Sequence, residues 1–189
     1  MSNTDDKRAL RRHIRQLKAS FKMSDEQRFA LADNVFTTIE RHLRPMGQAQ
    51  HILMYYELPD ELPTSRWAMR WQQAGKHIYL PRMKGDTLEV VALDTHLTPD
   101  TQYGILEPTG APLERLSLID VAIVPAVALD RQGNRLGRGK GYYDRLLPQL
   151  SHATTVGVSY DFQLVDHVPT AELDIPLNYV VTPSFHNFH

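Results

Sequence analysis

Ile119-Asp120-Val121-Ala122-Ile123-Val124 is the stretch on which the fold turns. Its apolar residues run almost unbroken where a half-exposed strand would alternate, as expected of a central strand covered on both faces. Shorter runs of the same kind lie on either side: His51–Tyr56, His77–Leu80 and Thr87–Leu93 before it, Thr155–Ser159 and a last strand around Tyr179–Thr182 after it. Helical patterns separate them. Leu10, Ile14, Leu17 and Phe21 recur at helical spacing, with Lys7, Arg8, Arg11, Arg12, Arg15 and Lys18 on the other faces. Ser24 with Gln27 three places on is a capping-box pattern that opens a second helix, carried by Ala32, Val35, Phe36, Ile39 and Leu43 and stopped by Pro45 and Gly47. Thr64 is placed to cap a helix bearing Trp67 and Trp71 and closed by Gly75, and Tyr142–Leu150 reads as another.

Strands alternating with helices predict an α/β fold: a single domain over residues 1–189, its mostly parallel sheet flanked by helices and joined by right-handed crossovers. The first two helices, about residues 5–44, are expected to pack as a pair on this body. Ligands of such sheets sit beyond the carboxyl ends of the strands, so the loops that follow strands are where chemistry is expected.

Composition narrows the classes. Lys and Arg number 21 against 22 Asp and Glu, so no overall field announces nucleic acid or an anionic membrane as partner. There is no cysteine, hence no disulfide framework or thiolate metal site, and a cytoplasmic, soluble protein is the natural reading. No run approaches the roughly 18–20 apolar residues of a membrane span. The histidines show no helical i, i+4 pair with a neighbouring carboxylate, so zinc is unsupported.

The chemistry-bearing segment is Arg135-Leu136-Gly137-Arg138-Gly139-Lys140-Gly141-Tyr142-Tyr143-Asp144-Arg145. Glycine at every second position lets backbone N–H groups turn toward an anion, and the following helix start adds its positive end. Arg138 and Lys140 add full charges. A polyphosphate fits such a loop, and Asp144 suits a phosphate-bound Mg²⁺ better than bare phosphate. On the glycines alone, a tight turn with solvated basic residues is the commoner outcome, and the interleaved basic residues and the carboxylate weigh against it. The spacing is neither that of a P-loop nor that of a dinucleotide fingerprint.

The segment Leu136–Arg145 closely resembles the signature loop of the 5-formyltetrahydrofolate cyclo-ligases, and the likeness extends along nearly the whole chain. Lys7-Arg-Ala-Leu-Arg11, Glu61-Leu-Pro-Thr64, Gly75-Lys76, Leu80-Pro81, Tyr103-Gly-Ile-Leu-Glu107-Pro108, Val124-Pro125, Asp130, Gln163, Val168-Pro169, Asp174 and Val181-Thr182 follow in the family's order. Ala126 stands where Gly is frequent, and Leu129 where an aromatic is usual. The resemblance implies a fold similar to the sugar-phosphate isomerase and CoA-transferase group, with ATP, Mg²⁺ and a reduced folate as ligands. It implies ATP-dependent closure of 5-formyltetrahydrofolate to 5,10-methenyltetrahydrofolate with release of ADP and phosphate. The formyl group is an amide with a poor leaving group, so its oxygen is first phosphorylated and nitrogen 10 then attacks.

By the same resemblance, Lys7, Arg11 and Arg135 through Tyr143 (Leu136, Gly137, Arg138, Gly139, Lys140, Gly141 and Tyr142 included) bind ATP. Arg138 and Lys140 also serve the transferring group, and Asp144 and Asp174 hold Mg²⁺. Glu61 anchors the folate, with Tyr56 and Tyr142 in the same pocket. Taken without the resemblance, Lys7 and Arg11 form a solvated helix face, Glu61 is a loop acid and Asp174 a turn residue. Glu107 has no role assigned. The folate arrives with or without a polyglutamate tail, which the basic first helix or Arg82 and Lys84 can meet, and the protein is expected to be a monomer with no nucleic-acid or membrane partner. Two other readings are weighed: a sugar-phosphate isomerase on the same fold, which needs no ATP, and a binding module whose basic helix meets nucleic acid with strong salt dependence.

Overall fold

The computed structural model describes residues 3–93, 96–100, 104–172 and 174–188; Tyr103 lies outside them. The chain opens with helices α1 (Asn3–Ser20) and α2 (Asp25–His42). It continues through strand β1 (His51–Leu53), helix α3 (Ser65–Gln73), the hairpin of β2 (His77–Lys84) and β3 (Thr87–Ala92), and the ribbon of β4 (Leu97–Pro99) and β5 (Leu106–Pro108). Strands β6 (Val121–Pro125), β7 (Ala128–Asp130) and β8 (Arg135–Leu136), helix α4 (Tyr142–Leu146), and strands β9 (Thr154–Val158), β10 (Leu164–Val165), β11 (Tyr179–Thr182) and β12 (Phe185–His186) complete it.

Among the described residues the main sheet runs β12-β11-β9-β6-β1-β2-β3, and every pairing from β11 to β2 is parallel. The predicted α/β class is therefore what forms. Strand β6 lies near the middle, and its residues divide between two cores: Val121 and Ile123 face one with Ile52, Ile78 and Val156, while Ala122 and Val124 face the other with Leu53, Leu129 and Leu150. This two-sided burial is the reason its apolar run is unbroken.

From β1 the chain moves one way to β2 and β3, then returns to β6 and moves the other way to β9 and β11. The β1/β6 boundary is thus a topological switch point, where a crevice opens beyond the carboxyl ends. Pro81 of β2 lies just past the end of β1. The Tyr79 carbonyl accepts from Met54 N on the β1 side at 2.8 Å, so the period of two turns the Pro81 nitrogen to that same side, where β1 has already ended and no ladder donor is lost.

Several expectations are corrected. The first two helices do not share a core: α2 supplies Ala32, Val35, Phe36 and Ile39 to the main-sheet cluster, whereas Ile14 of α1 is buried in a separate cluster with Ala128, Leu136 and Val168. The basic residues surrounding α1's narrow apolar stripe leave no second face to pack on a helix. Phe36 stacks instead on Trp67 at 5.6 Å and meets Trp71 edge-on at 5.6 Å, so α2 pairs with α3. Thr64 does not cap α3 with its side chain. The Glu57 carboxylate does so, accepting from Thr64 N at 3.1 Å and Ser65 N at 2.9 Å. The strand expected over His51–Tyr56 stops at Leu53, and the helix expected over Tyr142–Leu150 is one α-turn followed by a 3₁₀ turn, because Pro148 lacks the amide that would continue it. The Ser24–Gln27 capping box forms as predicted, with both bonds in place.

Candidate active site

A cavity of about 300 Å³ occupies the switch-point crevice. The loop after β1 contributes Tyr55, Tyr56, Leu58 and Glu61; the end of β6 contributes Pro125 and Ala126; the glycine segment contributes Arg135 and residues 137–144; β2 and β5 close the far wall with Met83 and Glu107. The glycine segment does not follow the central strand directly. A β7–β8 hairpin intervenes, held by buried Asp130, which accepts from Gln132 N and Asn134 N at 3.0 Å each, Asn134 Nδ2 at 2.9 Å and Val168 N at 3.0 Å. Asp130 thereby acts on the turn, away from the cavity.

Two glycines of the segment are required by backbone geometry. Gly139 and Gly141 have φ of 101° and 71°, a region L side chains rarely adopt. At Gly137 a Cβ would lie 2.8 Å from Arg135 Nη1, so a side chain there would displace the Arg135 guanidinium. The segment is tied at its far end to the β2–β3 turn: Tyr142 Oη donates to Gly85 O at 3.3 Å and Arg145 Nε to Asp86 O at 2.7 Å. From below, Arg11 Nε donates to Gly137 O at 2.8 Å, so α1 braces the loop.

Glu61 is held firmly. Its carbonyl accepts from Arg28 Nη2 and Tyr160 Oη, each at 3.1 Å, and its Oε2 accepts from Leu58 N at 3.0 Å, closing the loop on itself. The other carboxylate oxygen receives Arg138 Nε at 3.1 Å and Nη2 at 2.9 Å. Its side chain is 12% exposed, so these bonds matter more than a surface pair would. Arg138 also reaches Asp60 Oδ1 at 2.5 Å, and Lys18 of α1 holds Asp60 Oδ2 and its carbonyl at 2.9 Å each. Burial pushes the Asp60 carboxyl up, but Lys18 and Arg138 outweigh it and hold the group below the usual carboxylate range.

Behind the loop, Arg135, 6% exposed, donates to Asp144 Oδ1 at 2.5 Å, its guanidinium 5.4 Å from the Tyr143 ring centroid. Lys7 pairs with Asp174, whose carboxyl is likewise held low; burial opposes this, and Lys7 and the Ala171 amide prevail. The expected sites thus converge, although Lys7, Arg11 and Asp174 stand beside the cavity. Leu136 is the exception, its side chain buried in the α1 core. Asp144 and Asp174 are hard oxygen donors, and no group of three or more His, Cys, Asp or Glu gathers among the described residues. One or two carboxylates completed by phosphate oxygens and water is the usual Mg²⁺ arrangement, so the donor set fits that ion.

Glu107, to which the sequence assigns no role, and Tyr143, expected to bind ATP, both line the cavity. Glu107 accepts from Met83 N at 2.8 Å, and burial first, then Asp100, pushes its carboxyl up. Tyr143 has a buried hydroxyl with no hydrogen-bond partner among the described residues, and burial raises its pKa. An orphaned hydroxyl beside a cavity is a natural contact for a ligand. Taken together, the site offers a cationic, glycine-rich cradle and a fixed carboxylate, bridged by Arg138, on one apolar-walled space.

Residues 3–183 match the model of the 5-formyltetrahydrofolate cyclo-ligase family. The 5-formyltetrahydrofolate cyclo-ligase of Haemophilus influenzae is 31% identical over 184 residues, covering 93% of this chain and 96% of that protein. That of Escherichia coli K12 is 36% identical over 148 residues, covering 74% and 81%. The solution structure of Aquifex aeolicus 5,10-methenyltetrahydrofolate synthetase superposes with a TM-score of 0.82 at 28% identity, covering 96% of this chain and 92% of that one.

Proposed function

The chain belongs to the 5-formyltetrahydrofolate cyclo-ligase family and so is an enzyme that closes 5-formyltetrahydrofolate to 5,10-methenyltetrahydrofolate, and we propose that the β1/β6 cavity is where it does so, with ATP as co-substrate. The observation that carries this reading is the placement of Glu61 and the glycine segment on one cavity, close enough for Arg138 to bond the Glu61 carboxylate. Glu61 accepts from the pterin amino and ring N–H groups. Tyr56 and Tyr142 line the folate, and the Tyr143 hydroxyl finds its missing partner on the bound ligands.

Amides of residues 137–141, with Lys7, Arg11, Arg135, Arg138 and Lys140, hold the triphosphate. The formyl oxygen attacks the γ-phosphorus and ADP departs. Nitrogen 10 then adds to the activated carbon, and the C–O bond breaks, so phosphate leaves carrying the formyl oxygen and the nitrogen-10 proton. No protein nucleophile enters; positioning and charge neutralisation suffice for phosphoryl transfer. Mg²⁺ bound by Asp144 and Asp174 would offset the triphosphate's charge. To hold it, these carboxylates would give up their partners Arg135 and Lys7, whose charges would then be available to phosphate.

We read residues 1–189 as one domain, since α1 shares a core with β7 and β8 and braces the site. We read the protein as a monomer. The cysteine-free sequence suits the cytoplasm. Both Arg82 and Lys84 are paired with Glu89, at 2.7 and 2.6 Å, which leaves α1 the better candidate to meet a polyglutamate tail.

The test follows the near-ultraviolet absorbance of the conjugated product. Product should form with 5-formyltetrahydrofolate, ATP and Mg²⁺ together and fail when ATP is omitted. Glu61→Gln should raise the folate KM by roughly 10- to 100-fold, the loss expected for a charged hydrogen-bond acceptor, and, because it loosens Arg138, should not raise the ATP KM. Asp144→Ala should weaken the response to Mg²⁺. Absence of product from folded protein would overturn the reading, and turnover of a sugar phosphate without ATP would favour an isomerase.

A further inference from the structure

We infer that Asp60 is a positioning residue for Arg138, and that through Arg138 it makes the nucleotide and folate sites cooperative. The inference rests on the assignment of Glu61 to folate and Arg138 to phosphate, and it starts from a conflict between the two. One Glu61 oxygen takes the Leu58 amide and the other takes two N–H groups of Arg138. The carboxylate that must read the pterin is therefore already satisfied, and its occupant is a cation of the phosphate cradle. Arg138 holds Glu61 with its Nε and Nη2 edge, so a triphosphate that engages this edge of the guanidinium takes it from Glu61.

Asp60 fixes which of the two Arg138 prefers in the free enzyme. Its Oδ1 lies 2.5 Å from Arg138 Nη2, the same nitrogen that bonds Glu61. Lys18 grips Asp60 by both side chain and carbonyl, and α1, which carries Lys18, also carries Arg11 against Gly137 O. Asp60 thus stands on a braced loop and clamps the guanidinium over Glu61. A nucleotide that draws Arg138 toward its phosphates uncovers Glu61. A folate that takes Glu61 releases Arg138 to the phosphates. By linkage each ligand must then raise the affinity of the other by the same factor. Asp60 itself touches neither ligand in this scheme. Its side chain is 43% exposed, so its replacement leaves the cores intact.

The experiment is calorimetric titration of 5-formyltetrahydrofolate into the full chain, with and without a saturating, non-hydrolysable ATP analogue plus Mg²⁺. In the unaltered protein the analogue should tighten folate binding by about five-fold or more, the lower end of ordinary site-to-site coupling. Asp60→Asn should tighten folate binding in the absence of nucleotide and bring the coupling factor close to one. Asp60→Glu, which keeps the charge, should restore part of the coupling. A merely structural role predicts the opposite, weaker folate binding in Asp60→Asn with coupling unchanged. A coupling factor of one in the unaltered protein, or full coupling retained in Asp60→Asn, overturns the inference while leaving the folate site intact. Failure of the unaltered protein to bind folate at all, or a Glu61→Gln protein that binds it equally well, would instead overturn the assignment on which the inference stands.

Discussion

At the scale of single residues, conformation and contact make separable demands, and the glycines allow them to be separated. Gly75 and Gly141 both hold positive φ, 89° and 71°, but a Cβ at Gly75 would meet open space while one at Gly141 would lie 2.8 Å from Arg145 Nη1. Alanine at either should cost about 1–3 kcal/mol of stability, read from denaturant unfolding. Only Gly141→Ala should also lose most of its activity, because it alone distorts the cradle. Glu107 gives a second prediction. Its raised carboxyl means that the folded protein binds the proton more tightly than the unfolded chain, so the ionised side chain opposes folding at neutral pH. Glu107→Gln keeps an acceptor for Met83 N and should match or exceed the parent's Tm at pH 7, with the difference vanishing below about pH 4, under the carboxyl's unfolded value. Individual residues of the site were legible to different degrees. The Gly-Arg-Gly-Lys-Gly pattern could be singled out locally because basic residues and a carboxylate accompany its glycines, whereas Asp60 is one acid among several in a polar loop and is distinguished only when folding brings Arg138 to it.

Elements were legible where one period rules them and obscure where long-range pairing does. The capping box of α2 and the unbroken run of β6 could be read locally. The two-residue strands β8, β10 and β12 could not, since nothing but their partners defines them. The cap of α3 is obscure for a related reason: Thr64 has the right chemistry, but Glu57, seven residues earlier, takes the first amides of the helix, those of Thr64 and Ser65, with a full charge. Glu57→Ala should therefore destabilise the protein by about 1–2 kcal/mol, the range for loss of a helix cap, and Thr64→Ala should destabilise it by removing the buried hydroxyl's bond to the Tyr55 carbonyl. Helix α1 is the element on which the nucleotide half of the site depends, and Ile14 is its fully buried anchor. Ile14→Ala should cost about 2–5 kcal/mol. In the fraction that remains folded, the ATP KM should rise more than the folate KM, because Lys7 and Arg11 ride on α1 and Glu61 does not.

On the scale of the whole molecule, the fold supplies a crevice at its switch point and the charged side chains hold that crevice together from both sides. Asp60 and Asp174, each held below the usual range by a lysine of α1, link that helix to the body. A depressed carboxyl stabilises the fold above its unfolded pKa, near 3.9, and the contribution is lost as the pH falls through the folded value. Asp60→Asn and Asp174→Asn should thus be less stable than the parent at pH 7 and converge on it below about pH 4 in thermal melts. The general architecture was readable because alternating strands and helices admit few arrangements. The partition of α1 and α2 between different cores was not, since an apolar stripe does not state what it will meet. The central claim is that the formyl oxygen is phosphorylated in this cavity, and one measurement addresses it directly: turnover of 5-formyltetrahydrofolate carrying ¹⁸O in its formyl group, with unlabelled ATP, followed by mass analysis of the released phosphate. The account predicts one ¹⁸O atom in each phosphate formed; methenyl product accompanied by unlabelled phosphate would contradict it.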